Sequence, residues 1–135
     1  GAVVGGTDAA EIIGQVRRAE HLGVAAVWMT SGGTAGDALT ILTTAAAQTE
    51  KVLVGTSIVP IWSRHPVTLA QQAQVAASVA PGRVRLGVGP SHKLSMERTL
   101  GADFREPLGH LREYIGITKR LRAARAKPAP RRRPR

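Results

Sequence analysis

Residues 52–66, VLVGTSIVPIWSRHP, decide how this chain is read. The stretch opens as an apolar, β-branched run, Val52-Leu53-Val54, and breaks at Gly55-Thr56-Ser57. It passes through Pro60, Trp62, Arg64 and His65 and ends on Pro66, a favoured first residue of a helix. A buried strand, a polar loop marked by Gly and Pro, and then a helix make the repeating unit of a parallel α/β fold. In such folds ligands sit in the loops that follow the strands.

The same plan extends in both directions. Upstream, Gly1 to Gly6 reads as a strand end and a turn. Asp8 caps a helix over 8–22, with Glu11 three residues later as a capping box, and Ile12, Val16, Ala19 and Leu22 recur at helical spacing. Gly23 ends it. Residues 24–29 (VAAVWM) are apolar without alternation, which predicts a strand buried on both faces. A loop over 30–36 follows, and Asp37 caps a second helix carrying Leu39, Leu42 and Ala46 inward to about residue 49. Downstream, a third helix over 67–79 turns Leu69, Ala73 and Ala76 or Ala77 to a sheet. Pro81-Gly82 is a turn, and residues 83–88 (RVRLGV) are a fourth strand leading into Gly89-Pro90-Ser91-His92. A longer connection with one short helix near 96–100 leads to a helix starting at Pro107, with Leu108, Leu111, Tyr114 or Ile115, and Leu121 facing inward. Strands and helices alternating in this way give either an open doubly wound sheet or part of a β/α barrel. Periodicity does not choose between them.

Composition narrows the function classes. Hydrophobic residues make up 43% of the 135, with one Phe and one Tyr, so the core is built from Ala, Val, Leu and Ile. The absence of Cys excludes disulfides, thiolate metal sites and a Cys nucleophile. His21, His65, His92 and His110 have no metal-ligand spacing, so no metal is expected. No apolar run approaches the roughly 20 residues of a membrane span, and no signal peptide is evident, so no membrane partner is expected and the cytoplasm is the default setting. The net charge of +10 is concentrated at one end: residues 119–135 hold nine basic residues and no acid, leaving ten basic and nine acidic residues in the body. A nucleic-acid-binding domain would spread its basic residues over a folded face, so nucleic acid is an unlikely partner. Residues 123–135, Pro-broken and basic, are expected to be a disordered tail beyond a domain over 1–122.

Several phrases carry a resemblance: AAVWMTSGG, DALTILTTAA, VLVGTSIVPIWSRHPVTLAQQA, PGRVRLGVGPSH and REPLGHLREYIGITKRL. In order and spacing they resemble the luciferase-like monooxygenase superfamily, with the closest likeness to its branch that uses the deazaflavin coenzyme F420. The resemblance covers residues 3–122. It implies a (β/α)8 TIM barrel, of which this chain matches only the first half, about four βα units with parallel strands. It further implies an oxidoreductase, transferring hydride between coenzyme F420 and a small organic substrate, with FMN as the alternative cofactor in an FMN-dependent monooxygenase. Against these stands a truncated or frame-shifted, non-catalytic fragment, whose open sheet edges favour homo-oligomers.

The residues and the resemblance agree on where a site would lie. Polar residues interrupt the apolar strands at 30–36, 56–65 and 89–92. The resemblance implies that a bulge after the third strand, often with a non-prolyl cis peptide, backs the cofactor ring, and the matching position is Ser57-Ile58 beside Thr56. Thr30 and Ser31 follow the second strand, where relatives often carry a residue facing the cofactor. Arg64 suits an anionic group through its planar fork, with a solvated loop arginine as the alternative. His65 is either a cofactor contact or a helix cap. Gly89, Ser91 and His92 bring backbone and polar atoms to the mouth, or form a plain strand-ending turn. Asp37 is read as a helix cap only. No catalytic residue is singled out.

Overall fold

The computed structural model describes residues 1–32 and 36–126. Its elements follow the expected order: β1 (Ala2–Val3), α1 (Ala9–His21), β2 (Ala26–Met29), α2 (Ala38–Ala47), β3 (Leu53–Thr56), β4 (Val59–Pro60), α3 (Pro66–Val79), β5 (Val84–Arg85), β6 (Val88–Gly89), α4 (Lys93–Leu100) and α5 (Pro107–Ala126). β1, β2, β3 and β5 form one parallel sheet in that order, and β4 pairs in parallel with β6. These are four successive βα units. The third and fourth strands are each split in two; the sequence reading had the first followed by a loop and the second as one run over 83–88.

Local chemistry sets the helix ends. Asp8 accepts hydrogen bonds from the N–H groups of Ala10 and Glu11, satisfying donors that the first turn of α1 leaves open. Gly23, at φ +76°, lets the chain leave α1 in the left-handed region. Asp37 caps α2 through the Thr40 N–H and hydroxyl, and Pro66 opens α3. At the other end of α2, the Arg83 guanidinium donates to the carbonyls of Ala46, Thr49 and Val52. Glu20, near the end of α1, accepts from the N–H groups of Glu50, Lys51 and Val52 and so fixes the turn that enters β3.

The core has two clusters. One lies between the sheet and α1 and α2, with Ile12, Val16, Val27, Met29, Leu42 and Val54 at its centre. The other joins Leu39, Val59, Ile61, Leu69, Ala76 and Tyr114 where α3 meets α5. Complete burial of Leu42 or Leu69 contributes on the order of 1.5–3 kcal/mol each.

Several expectations need correction. β2 is not buried on both faces: Val27 and Met29 are buried under the helices, while Ala26 and Trp28 are only half-buried. The opposite face of the sheet carries the row Val3, Trp28, Gly55, Arg85, and Val3 and Arg85 on it are exposed. Leu22 is exposed because it falls one residue past α1, at its C-cap. Leu108 is exposed too; the inward stripe of α5 runs through Leu111, Tyr114 and Thr118. α4 starts at Lys93 rather than near 96, with Met96 buried. Residues 123–126, assigned to the tail, continue α5, and the rest of that assignment lies outside the described residues.

Candidate functional site

The ends of the strands converge at one mouth, and the break in the third strand shapes it. The Ser57-Ile58 peptide is cis, at the position where the resemblance implied such a bond. On either side of it the backbone is held by neighbours: the Ser57 N–H donates to the Met29 carbonyl at 2.8 Å, and the Ser31 N–H to the Ile58 carbonyl at 3.2 Å. The Thr56 hydroxyl donates to the Gly87 carbonyl at 2.9 Å and accepts from the Gly87 N–H at 3.0 Å. That clasp occupies the gap between β5 and β6. A Cβ at Gly87 would collide with the Thr56 carbonyl oxygen, so the fourth strand needs glycine there. The side chain of half-buried Ile58 lies beside Gly87 and Gly89, and Ser57 is exposed at the bulge.

The rim is a network. Arg64 Nη2 bonds Asp37 Oδ1 at 2.5 Å, and Nη1 bonds Gln72 Oε1 at 2.8 Å. The Arg64 carbonyl accepts from the buried Tyr114 hydroxyl at 2.9 Å. One residue thus ties together the start of α2, the β4–α3 loop, α3 and α5. Burial pushes the Asp37 carboxyl up, but the Arg64 bond, the two Thr40 bonds and the Arg64 charge outweigh it and hold it below its ordinary value. Burial raises the Tyr114 phenol, with a smaller opposing effect of Arg64. Trp62 donates from Nε1 to the Pro90 carbonyl at 2.8 Å, stacks on His110 at 4.5 Å and leans on Phe104 at 5.1 Å. His65 accepts from the Val67 N–H through Nδ1 and caps α3.

Beside the bulge is a cavity of about 160 Å³ between the β2–α2 loop, the β4–α3 loop and α4. Ser31, Asp37 and Arg64 line one side, and Met96, Thr99 and Leu100 the other. The Ser31 hydroxyl is buried and has no hydrogen-bond partner; it is the one such side-chain atom among the described residues. No group of acidic, His or Cys side chains suited to a metal occurs among the described residues.

The sequence profile of the luciferase-like monooxygenase family matches residues 1–130. The chain belongs to that family. A relative from Beutenbergia cavernae, named F420-dependent glucose-6-phosphate dehydrogenase, is 41% identical over 98 residues, which are 70% of this chain and 29% of the relative. Among solved structures, the coenzyme F420 dependent tetrahydromethanopterin reductase from Methanopyrus kandleri superposes with a TM-score of 0.72 at 23% identity, covering 82% of this chain and 36% of the reductase. The oxygenating constituent of 3,6-diketocamphane monooxygenase from Pseudomonas putida, solved with FMN, gives 0.73 at 17% identity over 86% of this chain and 35% of its own. The chain spans about a third of the length of these relatives and forms part of their β/α barrel.

Within this luciferase-like fold, the residues expected at the site separate into groups. Ser31, Thr56, Ser57, Ile58 and Gly89 gather around the bulge, joined by the backbone bonds already described. Thr30 is exposed on the adjoining loop; Ser91, at φ +59°, and His92 lead into α4. Two findings stand out. Arg64 is not a solvated loop arginine: it pairs with a carboxylate of the chain itself, Asp37, and with Gln72. Asp37 is more than a cap, since it carries that ion pair. The Thr56 hydroxyl is bonded to Gly87. Sequence reasoning missed the Asp37–Arg64 pair, the Trp62–Pro90 bond, the Tyr114–Arg64 bond and the α4 wall of the cavity. Their partners lie 27, 28 and 50 residues apart for the three bonds, beyond any local pattern.

Proposed function

We propose that this chain supplies the ring-backing part of a deazaflavin site in an oxidoreductase. When bound, coenzyme F420 would provide a carbon that gives or takes a hydride from a small organic substrate. The observation that carries the reading is the bulge: an aliphatic Ile58 flanked by Gly87 and Gly89, with exposed Ser57 before it and the Ser31 N–H bonded to its carbonyl, at the strand ends. A flat heteroaromatic ring needs an apolar backing with hydrogen-bonding groups at its edge, and these residues fit it. The names of the sequence relatives, F420-dependent enzymes, support deazaflavin over FMN.

The chain's own residues have distinct tasks. Ile58 backs the ring and excludes water from that face. Ser57 and Ser31 offer hydrogen bonds at its edge, with Ser91 and His92 on the neighbouring loop. The Arg64 network holds the loops that carry them. Of the residues expected to bind cofactor, Arg64 and His65 brace rather than contact, through Asp37 and the start of α3.

Fluorescence titration of the 135-residue chain with coenzyme F420, and in parallel with FMN, tests the reading. Saturable binding of F420, tighter than that of FMN, is expected, and Ile58→Asp should weaken it at least tenfold. Absence of saturation with F420 would sink the proposal.

A further inference from the structure

The segment between β6 and α5 is fastened differently from the other loops of the mouth. Its polar bonds close within it. Lys93 pairs with Glu97 along α4, the N–H groups of Gly101 and Ala102 donate to the carbonyls of Glu97 and Met96, and Asp103 pairs with Arg105. Among the described residues no hydrogen bond or ion pair ties residues 91–105 to the body, whereas Asp37 and Gln72 lock the β4–α3 loop through Arg64. Two apolar anchors hold the segment down. Met96 is 3% exposed, and the Phe104 ring meets Trp62 at 5.1 Å. Trp62 belongs to the body, where it stacks on His110 and bonds the Pro90 carbonyl. The rest of α4 adds little, since Leu94 and Leu100 are exposed. The segment is bounded by Ser91 at φ +59° and Glu106 at φ +49°, both left-handed without being glycine. A few positions of this kind, at the ends of elements, absorb the backbone change of a hinge.

We infer that residues 91–105 are a lid over the cavity that α4 walls, opening between Ser91 and Glu106 while the sheet and its core stay folded. Met96 and Phe104 are the latches. Opening breaks no hydrogen bond to the body, so its cost is the apolar contact of those two side chains, which places the segment at the low-stability end of the molecule. The cavity under the closed lid holds about 160 Å³. Pockets for small molecules start at roughly 300 Å³, so a ring-sized ligand enters only when α4 swings back. Closure then keeps water from the mouth. The role of the lid rests on the reading of this mouth as a ligand site, and it adds the step by which a ligand gains entry.

The two methionines of the chain provide the test. Met29 lies in the core under the helices and is 4% exposed, so it is as well covered as Met96. Dilute hydrogen peroxide converts a thioether to its sulfoxide where solvent reaches it. The full chain is treated with peroxide under folding conditions, and peptide mass spectrometry gives the oxidation rate at each methionine. Met96 should oxidise about tenfold faster than Met29 or more, because the lid opens without the core. Phe104→Ala removes the ring contact and should raise the ratio of the Met96 rate to the Met29 rate by about a further tenfold. Equal rates in the unmodified chain, or a ratio that Phe104→Ala leaves unchanged, would each overturn the inference. A variant that merely loosens the whole fold speeds both sites together, and so counts against the lid. The assay contains no cofactor: failure of coenzyme F420 to bind removes the cofactor reading and keeps the lid, and F420 binding with equal oxidation rates removes the lid alone.

Discussion

Gly87 shows how much one residue decides here. It lies where the fourth strand passes the carbonyl of Thr56, and its own N–H and C=O are clasped by the Thr56 hydroxyl. A Cβ there meets backbone, which has no side-chain freedom to yield. Gly87→Ala should therefore destabilise the chain by roughly 1–3 kcal/mol, the usual cost of overpacking, seen as a lower urea midpoint with an unchanged slope. Gly55→Ala is the instructive contrast. The nearest atoms to its Cβ would be in the six-membered part of the Trp28 ring, a side chain with rotatable bonds rather than backbone. A smaller loss is expected at Gly55, and a larger loss there than at Gly87 would contradict the geometry.

At the scale of elements, charged side chains join pieces that hydrophobic patterning leaves loose. Arg83 closes the end of α2, and Glu20 gathers three N–H groups before β3. Burial pushes the Glu20 carboxyl up, but the bonds from Lys51, Val52 and Glu50 and the charge of Arg83 bring it below its ordinary value. Asp37 is lowered in the same sense. A carboxyl lowered on folding contributes stability that is fully present above its unfolded pKa, about 4, and lost as pH falls through the folded value. Urea midpoints should thus drop between pH 6 and pH 3. In Glu20→Gln the midpoint at pH 6 should be lower and the drop to pH 3 shallower. An equally steep drop would show that Glu20 does not bear on acid stability.

At the scale of the whole molecule, the sheet has two open edges and one open face. The outer edges of β1 and of β5 with β6 have no strand partner among the described residues, and Val3 on β1 is 81% exposed. Unpaired parallel edges recruit further strands. For the 135-residue chain taken by itself, we propose that a second copy pairs with these edges, because each copy offers both. Light scattering behind size exclusion should show mass rising with concentration, and Val3→Lys should reduce it. A monomer at every concentration would remove this expectation. No helix among the described residues is long and apolar enough to cross a membrane.

The sequence by itself determined the order of strands and helices, the caps at Asp8 and Asp37 and the start of α3 at Pro66, while the resemblance supplied the bulge at Ser57-Ile58. These are local: a capping side chain, a fixed proline φ or an apolar run acts within a few residues, so it is written in the order of the chain. Family phrases located the loops of the mouth for the same reason. Only the tertiary structure decided that Arg64 answers to Asp37 and Gln72, that Trp62 holds Pro90, and that α4 walls a cavity with Ser31, Asp37 and Arg64 on its other side. It alone showed which face of β2 is open, because Trp28 is as apolar as Val27 and the difference lies in what packs against each. Burial and pairing over tens of residues depend on where separate elements meet in space, and composition along the chain does not encode that meeting.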